Sequence, residues 1–262
     1  MNLLFLGDIV GKPGRLAVRS LLPKLIHRTE ARFVIANCEN VSGGAGVEPE
    51  NCRELLEAGV DVLTSGNHIW RKREIVDYIA REPRLLRPTN FPPGTPGAGW
   101  RTYRTPDGVE VAVVNLIGRV FMDAMDCPFQ AVDGILAELA GRTPVIFVDM
   151  HAEATSEKGA MGWHLAGKVS AVVGSHTHVQ TADERVLEPG TAFLTDAGMC
   201  GPIDSVIGVK RELAIRRFIT HLPTKFETAA GRTVVQGAVV SVDPTSGRAT
   251  AIARVQEYVD RP

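Results

Sequence analysis

Residues 171–181, AVVGSHTHVQT, carry a run of small apolar residues into His176 and His178, two imidazoles with one residue between them. The chain has seven histidines, so this spacing asks for a chemical reason. Other apolar runs end in a similar way. LLFLG delivers Asp8, RFVIANC delivers Glu39 and Asn40, VDVLTSG delivers Asn67 and His68, and PVIFVDM delivers His151. If these runs are neighbouring parallel strands, their polar ends converge at the carboxyl edge of the sheet, where open α/β sheets bind ligands.

Carboxylates, carboxamides and imidazoles in one place match a site for one or two divalent transition metals. Imidazole favours iron, manganese, zinc, cobalt or nickel over calcium, and the lack of thiolates argues against a closed structural zinc site. A carboxylate can bridge two ions, and two ions can jointly hold a hydroxide and a phosphate for in-line displacement at phosphorus.

Taken singly, each residue has a plainer reading. Asp8 could cap a following helix. Asn40 and Asn67 sit near glycines and suit turns, Cys38 suits a small buried filler, and His176 and His178 could be solvated. As strand residues they would share one face, with Thr177 pointing the other way as a spacer. Taken jointly, the set favours metal. His27, His164 and His221 read as structural or surface histidines.

The elements that would position this set are short strands alternating with helices. RLAVRSLLPKLIHR keeps helical spacing, with Pro23 expected to kink or divide it. PENCRELLEAG predicts a helix ending at Gly59, and REIVDYIA another. VEVAVVNL, PVIFVDM, VSAVVGS and TAFLTDAG are apolar enough to be strands covered on both faces. Alternation of this kind predicts an α/β sheet with helices on each side. The tail VVQGAVVSVD-PTSG-RATAIARVQEY reads as a β-hairpin, and RPTNFPPGTPGAGW (87–100) as an irregular loop. With no internal repeat, residues 1–262 read as one domain.

At 262 residues and 44% hydrophobic, the chain can bury a substantial core. A net charge of -1 gives no general attraction for nucleic acid or an anionic membrane. Cys38, Cys52, Cys127 and Cys200 lie far apart without a CxxC, which fits reduced thiols in the cytoplasm. MNLLFLGDIVGK lacks the basic start and long apolar core of a signal peptide, and no window approaches the roughly 18 apolar residues a membrane helix needs.

Asp8, Glu39-Asn40, GNH (66–68), His151 and GSHTH (174–178) resemble, in order, the motif series of the calcineurin-like metallophosphoesterases. GDIVGKPGR, IANCENVSGG, TSGNHIW, VDMHAEATSEK, GSHTHVQTADE, TDAGMCGP and SVIGVKRE narrow the resemblance to the YmdB-like branch, along nearly the whole chain. The wider superfamily has D-x-H where this chain has Asp8-Ile9-Val10, and an aspartate where it has Glu39. The YmdB-like branch shares both departures.

The resemblance implies an α/β fold of two facing mixed β-sheets flanked by helices, a four-layer αββα sandwich. It implies two divalent or mixed-valence transition metal ions, iron first, with manganese or zinc as alternatives. Asp8, Glu39, Asn40 and His178 would hold one ion, and Glu39, Asn67, His151 and His176 the other, with Glu39 bridging. His68 would face the substrate as acid or charge stabiliser. The implied activity is that of a phosphodiesterase, including on 2′,3′-cyclic nucleotides, in a homo-oligomer such as a dimer or tetramer. No membrane or stable nucleic-acid partner is expected. A metal- or nucleotide-binding regulatory protein and an amide-cleaving metallohydrolase are the competing readings. SGGAG (42–46) would approach a phosphate or serve as a tight turn. Thr155 or Ser156 would start a helix, and Lys158 would meet phosphate or, as the default, be a solvated surface lysine.

Overall fold

In a computed structural model describing residues 1–260, LLFLG forms β1 (Asn2–Leu6). Successive side chains of a strand point to opposite faces, so Leu4 and Leu6 enter one apolar cluster and Leu3 and Phe5 another. The chain continues through β2 (Asp8–Ile9), α1 (Gly11–Thr29), β3 (Ala31–Asn37), α2 (Pro49–Glu57), β4 (Val62–Thr64) and α3 (Ile75–Ile79). The irregular proline-rich loop then leads into β5 (Trp100–Arg104), β6 (Glu110–Ile117), α4 (Pro128–Leu139), β7 (Val145–His151) and α5 (Thr155–His164). Last come β8 (Ala171–Ser175), β9 (Arg185–Leu187), β10 (Thr191–Leu194), β11 (Met199–Pro202), α6 (Arg211–Thr220), β12 (Thr233–Val242) and β13 (Ala249–Val259).

One sheet has the order β2-β11-β12-β1-β3-β4, with β13 also paired to β12; the other has the order β5-β6-β7-β8-β10-β9. Both are mixed: β1 is parallel to β3 and antiparallel to β12, while β7 is parallel to β6 and β8, and β5 is antiparallel to β6. Leu3, Phe5, Ile35, Val113, Phe147 and Val173 belong to the cluster between the sheets. There the rings of Phe5 and Phe147 lie 5.2 Å apart, in the range where aromatic pairs attract. Leu22 and Leu25 of α1 and Leu55 of α2 cover the outside of the first sheet. Val132 and Ile135 of α4 and Met161 of α5 cover the second. The architecture is the expected four-layer αββα sandwich. The tail forms the expected hairpin of β12 and β13. No helix among the described residues is long and apolar enough to cross a membrane.

Pro23 does not divide its helix: α1 runs as one element from Gly11 to Thr29. Pro23 lies on the exposed face, while Leu22 and Leu25 hold the buried face.

The parallel strands β1, β3 and β4 of the first sheet and β7 and β8 of the second send their carboxyl ends to one edge of the sandwich. The groups expected to converge therefore come from two facing sheets.

Candidate metal centre

Asp8, Glu39, Asn40, Asn67, His68, His151, His176 and His178 all meet at this edge. Around His151 Nε2 lie Asn67 Oδ1 at 3.0 Å, His176 Nδ1 at 3.1 Å and Glu39 Oε1 at 3.3 Å. Ligand atoms of Glu39, His151 and His176 all fall within 4.8 Å of one another. Beside this group is a second: His178 Nε2 stands 3.3 Å from Asn40 Oδ1 and 3.9 Å from Asp8 Oδ1. Glu39 lies between His151 and His68, whose Nδ1 is 3.6 Å from Glu39 Oε1.

Two observations fit cations here. Asp8 is fully buried, and among the described residues its Oδ1 has no hydrogen-bond partner, a costly arrangement unless a positive charge faces it. Each histidine also has its second ring nitrogen engaged. His151 Nδ1 is 2.9 Å from Ser175 Oγ, His176 Nε2 is 3.2 Å from Glu153 Oε2, and His178 Nδ1 donates to the Ile207 carbonyl at 2.8 Å. Such partners fix the tautomer of an imidazole and aim its free nitrogen at an ion.

The electrostatics agree. Burial opposes charge on His151, yet Glu39, Asp8 and Asp149 outweigh it and raise its pKa to about 9. Burial and the neighbouring His151 lower His176 to about 3. Burial raises Asp8, whereas in Glu39 it is overcome by His151 and His68, which hold the carboxylate well below its usual range. The cluster thus favours positive charge between its acceptors.

The positions have local causes. Asp8 does not cap α1, whose first turn begins at Val10 without a side-chain bond; Asp8 Oδ2 instead accepts the His176 amide at 3.0 Å. The His176 and His178 pair is not on a strand. β8 stops at Ser175, and both residues adopt left-handed backbone, φ 101° and 65°. Thr177 is an anchor, not a spacer: its amide and hydroxyl donate to Asp196 Oδ2 at 3.1 and 2.8 Å. Lys158 is likewise no surface lysine. It is 1% exposed and donates to that same Asp196 oxygen at 2.6 Å, because α5 carries it under the turn. Gly66 lets two ligands approach, since a Cβ there would sit 2.2 Å from His151 Nε2 and 2.5 Å from Glu39 Oε2.

Asn40 Nδ2 donates to the Gly44 carbonyl at 3.0 Å and faces His68 Nδ1 at 3.1 Å. The SGGAG loop therefore orients Asn40, and Asn40 leaves the His68 proton on Nε2. Burial lowers the pKa of His68 from its ordinary value, which favours the neutral ring. Glu39, Asn40, His68, His176 and His178 line a cleft of about 590 Å³, a size suited to a small ligand.

Sequence reasoning missed the layer behind the ligands. Buried Asp149 accepts from Ser175 Oγ at 2.6 Å, Thr64 Oγ1 at 2.5 Å and Asn37 Nδ2 at 3.1 Å. Burial raises its pKa to about 6. The signal was strand alternation: Asn37 and Asp149 each stand two residues before a candidate ligand, so a polar residue there faces inward. Asp196 offered no comparable signal. Away from the site, His164 pairs with Asp133, while His27 and His221 are exposed.

A family model described as "YmdB-like protein" matches residues 4–255. The chain belongs to the YmdB-like family. A relative from Bacillus subtilis (strain 168), a 2′,3′-cyclic-nucleotide 2′-phosphodiesterase, is 49% identical over 255 residues, covering 97% of this chain and 96% of its own. The crystal structure of a hypothetical protein from Thermus thermophilus has a TM-score of 0.92 at 39% identity, covering 100% of both chains. That of a novel phosphatase from Mycoplasma pneumoniae has a TM-score of 0.93 at 31% identity, covering 100% of this chain and 95% of the other. YmdB-like architecture therefore accounts for the sandwich from end to end.

Proposed function

We propose that this protein is a dinuclear metal-dependent phosphodiesterase that opens 2′,3′-cyclic nucleotides. The observation that carries the reading is the pair of acceptor groups at this edge: Glu39 lies 3.3 Å from His151 Nε2 in one, and the next residue, Asn40, lies 3.3 Å from His178 Nε2 in the other. Asp8, Glu39, Asn40 and His178 would hold one ion, and Glu39, Asn67, His151 and His176 the other, with Glu39 shared. When bound, transition-metal ions supply Lewis acidity, neutralising charge on a phosphoryl group and acidifying water. The family resemblance favours iron, and the imidazole and carboxylate set also suits manganese or zinc. The Bacillus subtilis relative supports the substrate class.

His68 steadies the leaving oxygen. Its Nδ1 is taken by Asn40, so its Nε2–H is the donor available to the cleft. Water adds to phosphorus and the P–O2′ bond breaks; the proton the water gives up balances the one the departing O2′ takes, and the neutral His68 Nε2–H hydrogen-bonds that oxygen as its charge develops. The product is the nucleoside 3′-monophosphate. The left-handed His176–His178 turn, pinned by Asp196, holds its imidazoles still while this happens.

We also propose that the protein acts as a homo-oligomer in the cytoplasm. α6 presents Ile215, Phe218 and Ile219 to solvent at 53%, 74% and 76% exposure, an apolar strip that association would bury. Four free cysteines suit a reducing compartment.

The test is hydrolysis of 2′,3′- and 3′,5′-cyclic AMP by anaerobically purified protein, with its metals measured by elemental analysis. Formation of 3′-AMP by protein carrying about two ions per chain supports the reading. Metal-loaded protein that binds cyclic nucleotide without turning it over would be a regulatory module instead.

A further inference from the structure

Away from the candidate ligands, the cleft lining changes character. Val10, Ile207, Val209 and Phe226 line the cavity that also holds Asn40 and His178. Ile207 and Phe226 are each 49% exposed, large apolar side chains left uncovered inside a cleft. Ile207 also adopts φ 46°, a left-handed backbone that is an outlier for a β-branched residue and easy for glycine. Such strain persists where the surroundings over-determine it, and it clusters at functional sites.

The backbone part of that strain has a visible reason. The Ile207 carbonyl accepts from His178 Nδ1 at 2.8 Å, and Val206 and Val209 exchange backbone hydrogen bonds around the turn. Any residue supplies that carbonyl, glycine with less strain. The isoleucine side chain is therefore a separate requirement, and what it meets is the cleft.

We propose that Ile207 and Phe226 seat the nucleobase of the substrate and so set a preference for nucleotides over phosphodiesters that lack a base. This rests on the phosphodiesterase reading. A nucleotide is divided as the cleft is, with an anionic phosphate at one end and a flat ring with apolar faces at the other. The two ends of the site are joined through a single imidazole. His178 Nε2 faces Asn40 Oδ1 at 3.3 Å, while its Nδ1 holds the carbonyl of Ile207. A compact nucleotide, whose ribose joins phosphate to base directly, reaches both. Neither side chain reads a base edge by hydrogen bonds, so every base is accepted and the larger purines gain most. Stacking on an aromatic side chain is worth about 5- to 150-fold in affinity.

The experiment compares 2′,3′-cyclic AMP with 1-O-methylribose 2′,3′-cyclic phosphate, the same ring without a base, on the metal-loaded enzyme. Phosphorus NMR follows both substrates. In Phe226→Ala and Ile207→Gly, KM for cyclic AMP rises at least about fivefold with kcat retained, and the abasic ring changes far less. Phe226→Tyr keeps the wild-type ratio. Quenching of a 2-aminopurine nucleotide, which reports stacking without turnover, weakens in the same two variants. Ile207→Gly melts no lower than wild type, because its backbone strain is relieved. Equal losses on both substrates, or unchanged discrimination in active variants, overturn the base seat and leave the phosphodiesterase reading standing. Wild-type enzyme inactive on both substrates removes that reading, and the seat with it.

Discussion

Lys158 Nζ lies 2.6 Å from Asp196 Oδ2, and both side chains are 1% exposed. That oxygen also receives the amide and hydroxyl of Thr177, while Oδ1 takes the Gly198 amide. The pair thus ties α5 to the turn that carries His176 and His178. Lys158→Met leaves a buried carboxylate unpaired, which costs about 3–5 kcal/mol. Calorimetry should show the loss of stability, and elemental analysis a loss of bound metal. Thr177→Val removes one hydrogen bond and should do less of both, whereas Thr177→Ser should restore the metal content. A Lys158→Met protein with full metal and an unchanged melting temperature would remove this role.

Gly66→Ala places a methyl group 2.2 Å from His151 Nε2 and 2.5 Å from Glu39 Oε2. Neither buried neighbour can give way without leaving the other acceptors. The variant should keep its far-UV circular dichroism and lose metal and turnover together. Full occupancy in Gly66→Ala would mean that the ions sit elsewhere.

His68→Ala should separate chemistry from metal binding. The imidazole faces Asn40 and the cleft, and loss of a hydrogen-bond donor to developing charge lowers turnover by about 10²- to 10³-fold. Metal content should stay at the wild-type level. Unchanged kcat on cyclic nucleotides would assign this role to another group.

Chelation should destabilise the fold. Ions present at about 1,000 times their dissociation constant stabilise by about 4.1 kcal/mol, which in a chain of this size is on the order of 10 °C in melting temperature. Asp8→Ala, which removes a ligand of one of the two ions, should lose less melting temperature on chelation than the wild type. A wild-type protein insensitive to chelation would contradict the proposed centre.

Much of this is legible in the sequence because strands and their ends follow simple geometry. Runs such as LLFL, apolar on both faces, require cover on both sides, and the structure supplies the second sheet to one face and α1 to the other. A polar residue directly after such a run must lie at the sheet edge, which places Asp8, Glu39, Asn67 and His151. What strand periodicity cannot give is anything set by the left-handed turn. HTH alternates as a strand does, while the decisive contacts around His176 and His178 are those of Thr177 to Asp196, nineteen residues on. Lys158 escapes sequence reasoning for a related reason: a lysine is rarely fully buried unless paired, and its partner is distant in sequence. The facing of the two sheets, which brings Asn37 to Asp149, comes from the family resemblance and not from any local pattern.

β1 lies between β3 and β12, and the strand that leads to Asp8 is bounded by residues 233–242. The Gly7 amide donates to the Gln236 carbonyl at 3.0 Å, and the Gln236 side chain accepts the Met199 amide at 3.1 Å. During synthesis, β1 must therefore wait for β12, made long after it, before its open edge is paired. Until then it is exposed to wrong pairing, as slow-forming nonlocal sheets are. The nascent chain can hold every candidate ligand through His178 and still lack the strand that fixes the first of them. Competence arrives with β12, so a product truncated before that strand would be inert instead of weakly active.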